Sequence, residues 1–144
     1  DVSLEKHFLD RVFTRIDQSI AMAALFAANH LKVKAIAALT ESGSTALWMS
    51  RLNCGVPVYA LTPSATAQTK MCLYREVYPL LMKQTHTDRE ELLADAEQLL
   101  IDAGVVDKGD LIVLTIGEPI GTPGGTNTLK IVRVGEHIPP VRSA

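Results

Sequence analysis

Short runs of apolar residues alternate with helical patterns along almost the whole chain, and this alternation is what most constrains the fold. Apolar runs bounded by turn residues are typical of strands that are buried on both faces. They predict strands at 35–39, 58–61, 76–81, 111–116 and 128–134. Strands that alternate with helices indicate βαβ units and therefore a mainly parallel sheet.

Four helices are predicted between these strands, over 4–31, 45–52, 64 to about 73, and 88–103. Thr87 and Glu90 have the spacing of a capping box for the last helix, and Gly104 stands where glycine ends helices. The helix over 4–31 is apolar on two sides. We therefore expect one side to pack on the sheet and the other on a further domain or a subunit.

Only a loop separates the last two predicted strands. A parallel connection needs a dozen or more residues, usually with a helix, so the final strand should be antiparallel and at the sheet edge. The fold class expected is a three-layer α/β/α domain with about five strands. A chain of 144 residues fits a single domain, with its core at about 12–135 and a tail at 136–144.

Composition excludes several classes of protein. Hydrophobic residues make up 47% and charged residues 21%, which is typical of a globular domain and argues against disorder. A net charge of −2 gives no sign of nucleic-acid binding. No apolar run approaches the ~20 residues of a membrane-spanning helix, and no secretory signal is visible. Cys54 and Cys72 are expected to be reduced, and the four scattered histidines lack metal-ligand spacing.

The first candidate site follows the first predicted strand. Ligands of open α/β sheets bind beyond the carboxyl ends of the strands, and a helix that begins there offers free N–H groups to a phosphate. Glu41 would repel an anion if it pointed inward. The alternative is a helix cap in which the hydroxyls only satisfy the start of the helix. The candidate residues are Thr40, Glu41, Ser42, Gly43, Ser44 and Thr45.

The second candidate is the glycine- and proline-rich loop over 117–127, which follows a strand at the same sheet edge. It matches neither a Walker A nor a GxGxxG motif. A loop of this length is often functional, although a long turn to an edge strand is the alternative. Two polar loops at one edge favour a shared anion or sugar-phosphate site. A catalytic constellation is not visible, and the acidic run near Asp88 and Glu97 is typical of a solvated helix face.

Three stretches of the chain carry a family resemblance. They are KAIAALTESGSTALWMSRLN, CGVPVYALTPSATAQTKMCLYREVYPLL and KGDLIVLTIGEPIGTPGGTNTLKIVRV. Together they resemble the C-terminal domain of bacterial pyruvate kinases over about residues 12–135. The combination of the TESG loop with a TNT loop downstream of KGD is specific to that domain.

The resemblance implies a regulatory domain that binds a sugar phosphate or nucleotide effector and helps to form a homotetramer. It places the effector phosphate on Thr40, Ser42, Gly43 and Thr45, with Thr122, Gly124 and Gly125 in the loop that closes over it. Many members carry basic residues where this chain has Glu41 and Ser44. We therefore expect a monophosphate rather than fructose 1,6-bisphosphate.

In the family, the catalytic residues lie in an N-terminal (β/α)8 barrel, which transfers phosphate from phosphoenolpyruvate to ADP with Mg²⁺ and K⁺. The chain begins at Asp1 and has none of those residues. We expect it to be the C-terminal part of a longer cytoplasmic enzyme, without a metal or cofactor of its own and inactive alone. Two alternatives stay open: a freestanding phosphosugar enzyme with Glu41 as its base, or an interaction module in which both loops are turns.

Overall fold

The computed structural model describes residues 16–52, 55–83, 88–117 and 126–136. The strands are β1 Ala35–Leu39, β2 Val58–Thr62, β3 Val77–Leu81, β4 Leu111–Gly117 and β5 Thr126–Arg133. The helices in these ranges are α1 Ile16–Leu31, α2 Ser44–Leu52, α3 Ala65–Met71 and α4 Arg89–Asp102.

The strands form one five-stranded sheet in the order β3-β2-β1-β4-β5. β1, β2, β3 and β4 are parallel, whereas β5 runs antiparallel to β4 at the edge of the sheet. The prediction of a mainly parallel sheet with an antiparallel last strand is therefore confirmed. The order itself could not be predicted, because the chain moves outward from β1 to β3 and then returns to the other side of β1.

Helices cover both faces of the sheet, which confirms the three-layer architecture. On one face, the buried side chains of α1, α2 and α3 pack with Ile36, Val58 and Val113 of the strands. On the other face, α4 packs through Leu93 and Leu100. Every residue of β1 is buried, as the unbroken apolar run predicted for a strand between two layers.

Several element boundaries differ from the predicted ones for local reasons. β3 begins at Val77 because Glu76 has a φ of +57°, which lies outside the β region. α4 begins one residue later than predicted, and its N-cap is Asp88, whose Oδ1 accepts the N–H of Glu90 at 3.0 Å. Thr87, to which we assigned the cap, lies outside the described residues, as do residues 4–15 of the first predicted helix.

β5 also begins earlier than predicted, at Thr126, and ends at Arg133.

In the described ranges, no helix is long and apolar enough to cross a membrane. Cys72 is a free, exposed thiol, and Cys54 lies outside the described residues. The predicted tail is described only at Glu136.

Candidate functional site

Hydrogen bonds of Thr40 hold the loop after β1 in place. The N–H of Thr40 donates to the carbonyl of Leu61 at 3.0 Å, which continues the β1–β2 pairing to the carboxyl end of β1. The Oγ1 of Thr40 then accepts the N–H of Gly43 at 2.9 Å. Thr40 is only 8% exposed, so this side chain acts as an internal brace of the loop.

Gly43 is the point at which the loop turns into α2. Its φ is +86°, a conformation that side chains with a Cβ rarely adopt, and a Cβ there would lie 3.0 Å from Cγ of Met71. Its carbonyl accepts the N–H of Leu47 at 2.9 Å and so starts the helix. Both the backbone conformation and the close approach of α3 therefore require glycine at this position.

Besides the Thr40 hydroxyl, three further hydroxyls of the loop have partners within the protein. Ser42 Oγ accepts the N–H of Ser44 at 3.3 Å. Ser44 Oγ donates to Oδ2 of Asp17 at 2.9 Å, and Thr45 Oγ1 donates to Oγ1 of Thr126 at 2.7 Å. The hydroxyls thus fix the shape of the loop, as the cap interpretation expects. The N–H groups of Gly43 and Ser44 are bonded to Thr40 Oγ1 and Ser42 Oγ, whereas a helix gives the following N–H groups of its first turn no intrahelical partner.

Glu41 is the loop's own carboxyl group and is partly buried. Burial raises the pKa of Glu41 above its ordinary value because the charged form loses solvation. Its carbonyl is within 3.5 Å of the Thr62 hydroxyl at the carboxyl end of β2.

The second loop starts and ends beside the first. Gly117, the last residue of β4, is the register partner of Thr126, the first residue of β5, and a bulge precedes this pair. Thr126 is 5% exposed and its hydroxyl meets Thr45 of α2. The remaining predicted residues of this loop, Thr122, Gly124 and Gly125, lie outside the described residues.

These two loops flank the point at which the strand order reverses. From β1 the chain moves toward β2, whereas the neighbouring strand β4 leads to β5 on the opposite side. In open α/β sheets, a crevice forms at the carboxyl ends of two such strands, and it is where ligands bind. The sheet order therefore brings the loop over 40–45 and the ends of the loop over 118–125 to one crevice.

Sequence spacing did not point to Asp17 and Thr115 near the same region, whereas Thr126 lies in the predicted loop over 117–127. Asp17 of α1 is 2% exposed, and its Oδ2 accepts the hydroxyl of Ser44. The hydroxyl of Thr126 accepts the hydroxyl of Thr45 in α2. Thr115 of β4 is fully buried, and its Oγ1 has no hydrogen-bond partner among the described residues. Because strand side chains alternate between faces, Thr115 lies on the same face as Val113, beneath α1 and α2.

A metal site is not evident in the part of the chain that the structure describes. Within it, no group of three or more histidine, cysteine, aspartate or glutamate side chains could hold an ion. The donor set at the crevice consists of hydroxyls and backbone N–H groups with two separate carboxylates. It suits a hydrogen-bonding anion better than Mg²⁺, which prefers several oxygen ligands and waters in octahedral geometry.

Comparison with known proteins places this fold in a family. The family model of the pyruvate kinase alpha/beta domain matches residues 18–132, which include all five strands except the last residue of β5. The chain belongs to the pyruvate kinase alpha/beta domain family. This confirms the resemblance found in the sequence, and the two loops of the crevice lie within the matched range.

Curated relatives agree with this assignment. Pyruvate kinase II of Salmonella typhimurium is 40% identical over 134 residues, which are 92% of this chain and 28% of that protein. The pyruvate kinase of Buchnera aphidicola subsp. Schizaphis graminum is 37% identical over the same shares. That of Staphylococcus haemolyticus is 37% identical over 88% of this chain and 22% of its own length. The chain therefore spans about a quarter of these pyruvate kinases.

Proposed function

We propose that this domain binds a phosphorylated metabolite as the regulatory effector of a pyruvate kinase, the enzyme that transfers phosphate from phosphoenolpyruvate to ADP. The phosphate would lie on the backbone N–H groups at the start of α2, inside the loop over 40–45. The loop over 118–125 would close over the rest of the ligand. The predicted site residues of both loops would contribute to this one effector site.

The hydrogen bond between Thr45 and Thr126 is the observation that carries the proposal. It is buried and 2.7 Å long, and it joins the first turn of α2 to the residue that ends the second loop. A turn that only connects β4 to an edge strand does not need to be anchored to the start of another helix. Through this bond, the residue that follows the second loop lies beside the first turn of α2, where an anion would bind.

The charge around the crevice favours a ligand with one phosphate group. The loop over 40–45 contains no lysine or arginine, and it contains Glu41. Attraction for an anion therefore rests on N–H groups and the helix dipole, which offer about half a unit charge. We accordingly propose a sugar monophosphate or a nucleoside monophosphate rather than a sugar bisphosphate.

A ligand screen by thermal denaturation tests the proposal. A ligand that binds only the native chain must raise its melting temperature as its concentration rises. Glucose 6-phosphate, ribose 5-phosphate and AMP form the panel, with fructose 1,6-bisphosphate and unphosphorylated glucose for comparison. We expect stabilisation by a monophosphate and none by glucose. Stabilisation by none of the phosphorylated compounds, or by fructose 1,6-bisphosphate alone, would refute the proposal.

We also propose that α1 and the edge strand β5 serve assembly with a catalytic barrel and with further copies of the chain in a cytoplasmic homotetramer. Phe26 of α1 is 71% exposed and Ile131 of β5 is 44% exposed, although both are large and apolar. Edge strands and apolar helix faces are commonly covered by partners. This matches the prediction that the two-sided first helix packs on a second domain or subunit.

Catalysis would then belong to the barrel, together with the Mg²⁺ and K⁺ that the reaction needs. Phosphoryl transfer depends on positioned cations around the phosphate. The described residues at the crevice supply no such cation, because the charged side chains named there, Asp17 and Glu41, are both acidic. We therefore expect the purified chain to form no pyruvate from phosphoenolpyruvate and ADP, and measurable turnover in a coupled assay would contradict this.

A further inference from the structure

Within the loop over 40–45, the side chain of Glu41 makes no hydrogen bond or ion pair to the residues that the structure describes. We propose that the Glu41 carboxylate accepts hydrogen bonds from hydroxyl groups of the effector, so that the site selects a sugar phosphate over a phosphate without such hydroxyls. The inference rests on the proposed function, since it names the residue that recognises the sugar part of the same ligand. The phosphate would remain on the first turn of α2.

The hydroxyls of this loop are already bonded within the protein. Thr40 and Ser42 accept backbone N–H groups of the loop at 2.9 and 3.3 Å. Ser44 and Thr45 donate to side chains of other elements at 2.9 and 2.7 Å. A ligand would have to break or share these bonds to use a hydroxyl of the loop. In contrast, no described residue bonds either carboxylate oxygen of Glu41, and each oxygen accepts hydrogen bonds.

The surroundings of Glu41 differ from those of a solvated surface charge. Its side chain is partly buried, and burial raises the pKa of Glu41 because the charged form loses solvation. Polar groups that are removed from water are normally hydrogen-bonded, and exceptions concentrate at functional sites. A partly desolvated carboxylate without a bond inside the protein would gain from the donors that a ligand brings.

The position of Glu41 suits a group that is attached to the bound phosphate. Its carbonyl lies 3.5 Å from the hydroxyl of Thr62, at the carboxyl end of β2. Gly43, whose carbonyl accepts the first N–H of α2, is two residues further along the chain, and two residues span at most about 7 Å. One ligand with the dimensions of a sugar phosphate can therefore reach both the first turn of α2 and Glu41.

Hydroxyl groups match a carboxylate that lies near a bound anion. A carboxylate only accepts hydrogen bonds, and a hydroxyl donates one without adding charge to the ligand. An acidic side chain binds ribose hydroxyls in this way in dinucleotide-binding α/β folds. The same carboxylate repels a further phosphate, which agrees with the proposed preference for one phosphate group. Glu41 thus favours a ligand that combines one phosphate with neighbouring hydroxyls.

Titration calorimetry with ribose 5-phosphate, glucose 6-phosphate and AMP tests the proposal, with ethyl phosphate as the ligand that has the phosphate and no sugar hydroxyl. The measured quantity is the dissociation constant of ethyl phosphate divided by that of each sugar phosphate. Repulsion between Glu41 and the phosphate acts on both ligands and cancels in this ratio. We expect a ratio of about ten or more for the original chain, because hydrogen bonds to a charged group are stronger than neutral ones.

Two variants of Glu41 and one control assign the ratio to this side chain. Glu41→Gln keeps one acceptor oxygen without the charge and should lower the ratio about threefold. Glu41→Ala removes both acceptor oxygens and should lower it about tenfold. Glu76→Gln makes the same charge change at an exposed residue before β3, at the opposite edge of the sheet, and should leave the ratio unchanged. Circular dichroism checks the fold of each variant.

The outcomes distinguish this inference from the proposed function. If the original chain binds the sugar phosphates no more tightly than ethyl phosphate, or if both Glu41 variants keep its ratio, the role of Glu41 is refuted and the effector site stands. Binding of AMP without binding of either sugar phosphate would refute the role of Glu41 in the same way. If no phosphorylated compound binds the original chain or any variant, the proposed function fails and the inference fails with it.

Discussion

The hydroxyl of Thr45 donates to the hydroxyl of Thr126 across 2.7 Å, although 81 residues of chain separate them. Thr45 lies in the first turn of α2 and Thr126 begins β5, so one buried contact joins the two loops of the crevice. It fixes the first turn of α2 against the start of β5 at the edge where both loops leave the sheet.

Thr126→Val should break this contact without changing the size of the side chain. A buried hydrogen bond contributes about 1 kcal/mol, and the Thr45 hydroxyl would be left without it. We expect the free energy of unfolding to fall by about that amount in urea titrations. Thr128→Val is the matched control, because the Thr128 hydroxyl bonds to the exposed Asn127. Equal effects of the two substitutions would contradict the prediction.

Gly43→Ala tests the turn into α2. Positive φ costs a residue with a Cβ about 1 kcal/mol, and the approach of Met71 to 3.0 Å adds a steric cost. Gly55→Ala is the control, since Gly55 has a φ of +96° and a Cβ added there would lie more than 4 Å from every described atom outside its immediate chain neighbours. We expect a loss of about 2 kcal/mol or more for Gly43→Ala in chemical denaturation, and about half of that for Gly55→Ala. Equal losses for the two variants would show that the contact with Met71 adds nothing.

Glu41→Gln should change how stability depends on pH. Because burial raises the pKa of Glu41 from 4.5, the native state binds the proton more tightly than the unfolded chain does. The charged form therefore costs stability above the native pKa, and this cost disappears as the pH falls through that pKa and below 4.5. The amide removes the cost at every pH. The variant should be more stable than the original chain at neutral pH, with a smaller difference in acid.

Urea titrations at several pH values from neutral down to the ordinary pKa of a glutamate measure this difference. Glu76→Gln is the control, because Glu76 is exposed and the same substitution there removes a solvated charge. We expect the Glu76 variant to follow the original chain across the range. If the free energies of unfolding of the Glu41 variant and the original chain differ by the same amount at every pH, burial of the Glu41 charge does not cost stability and the prediction is wrong.

Asp88→Ala should destabilise α4. The Oδ1 of Asp88 accepts the N–H of Glu90, and loss of such a cap costs about 1 kcal/mol. Thr87→Ala is the comparison, since the sequence pattern had assigned the cap to Thr87. We expect the larger loss of melting temperature for Asp88→Ala. A larger loss for Thr87→Ala would restore the capping box predicted from the sequence.

Phe26→Ser should weaken self-association through α1. The Phe26 ring is 71% exposed and stacks on His30 with 6.0 Å between centroids, so a large apolar surface faces outward. We expect sedimentation velocity to show a dissociation constant raised about tenfold, since buried aromatic anchors dominate interfaces. Leu73→Ser, at an 87% exposed residue after α3, is the control and should leave association unchanged. A purely monomeric original chain at high concentration would refute the interface.

The strands and their direction were predictable because the signals are local. β1 is a run of five apolar residues, and all five are buried between two helical layers. The antiparallel direction of β5 followed from the short connection to β4. Boundaries were predicted less well where one residue decides them, as with the positive φ of Glu76 and the cap at Asp88. Patterns over several residues do not resolve such positions.

The candidate loop was also visible in the sequence, since glycine and hydroxyl residues after a buried strand indicate a polar turn at a helix start. What those hydroxyls bind was not visible. Ser44 meets Asp17 from 27 residues upstream, and Thr45 meets Thr126 from 81 residues downstream. Separations of 27 and 81 residues do not follow from the repeat of a helix or a strand, so the sequence pattern could not predict these contacts.

The sequence by itself determined the α/β class, the strand directions and the family, because apolar periodicity, connection length and the TESG and TNT motifs are properties of nearby residues. Only the tertiary structure decided the strand order, the position of the crevice between β1 and β4, and the place of Asp17 beside α2. The physical reason is that these features depend on which distant segments pack together to bury the apolar surface of the sheet, and no local pattern encodes that choice.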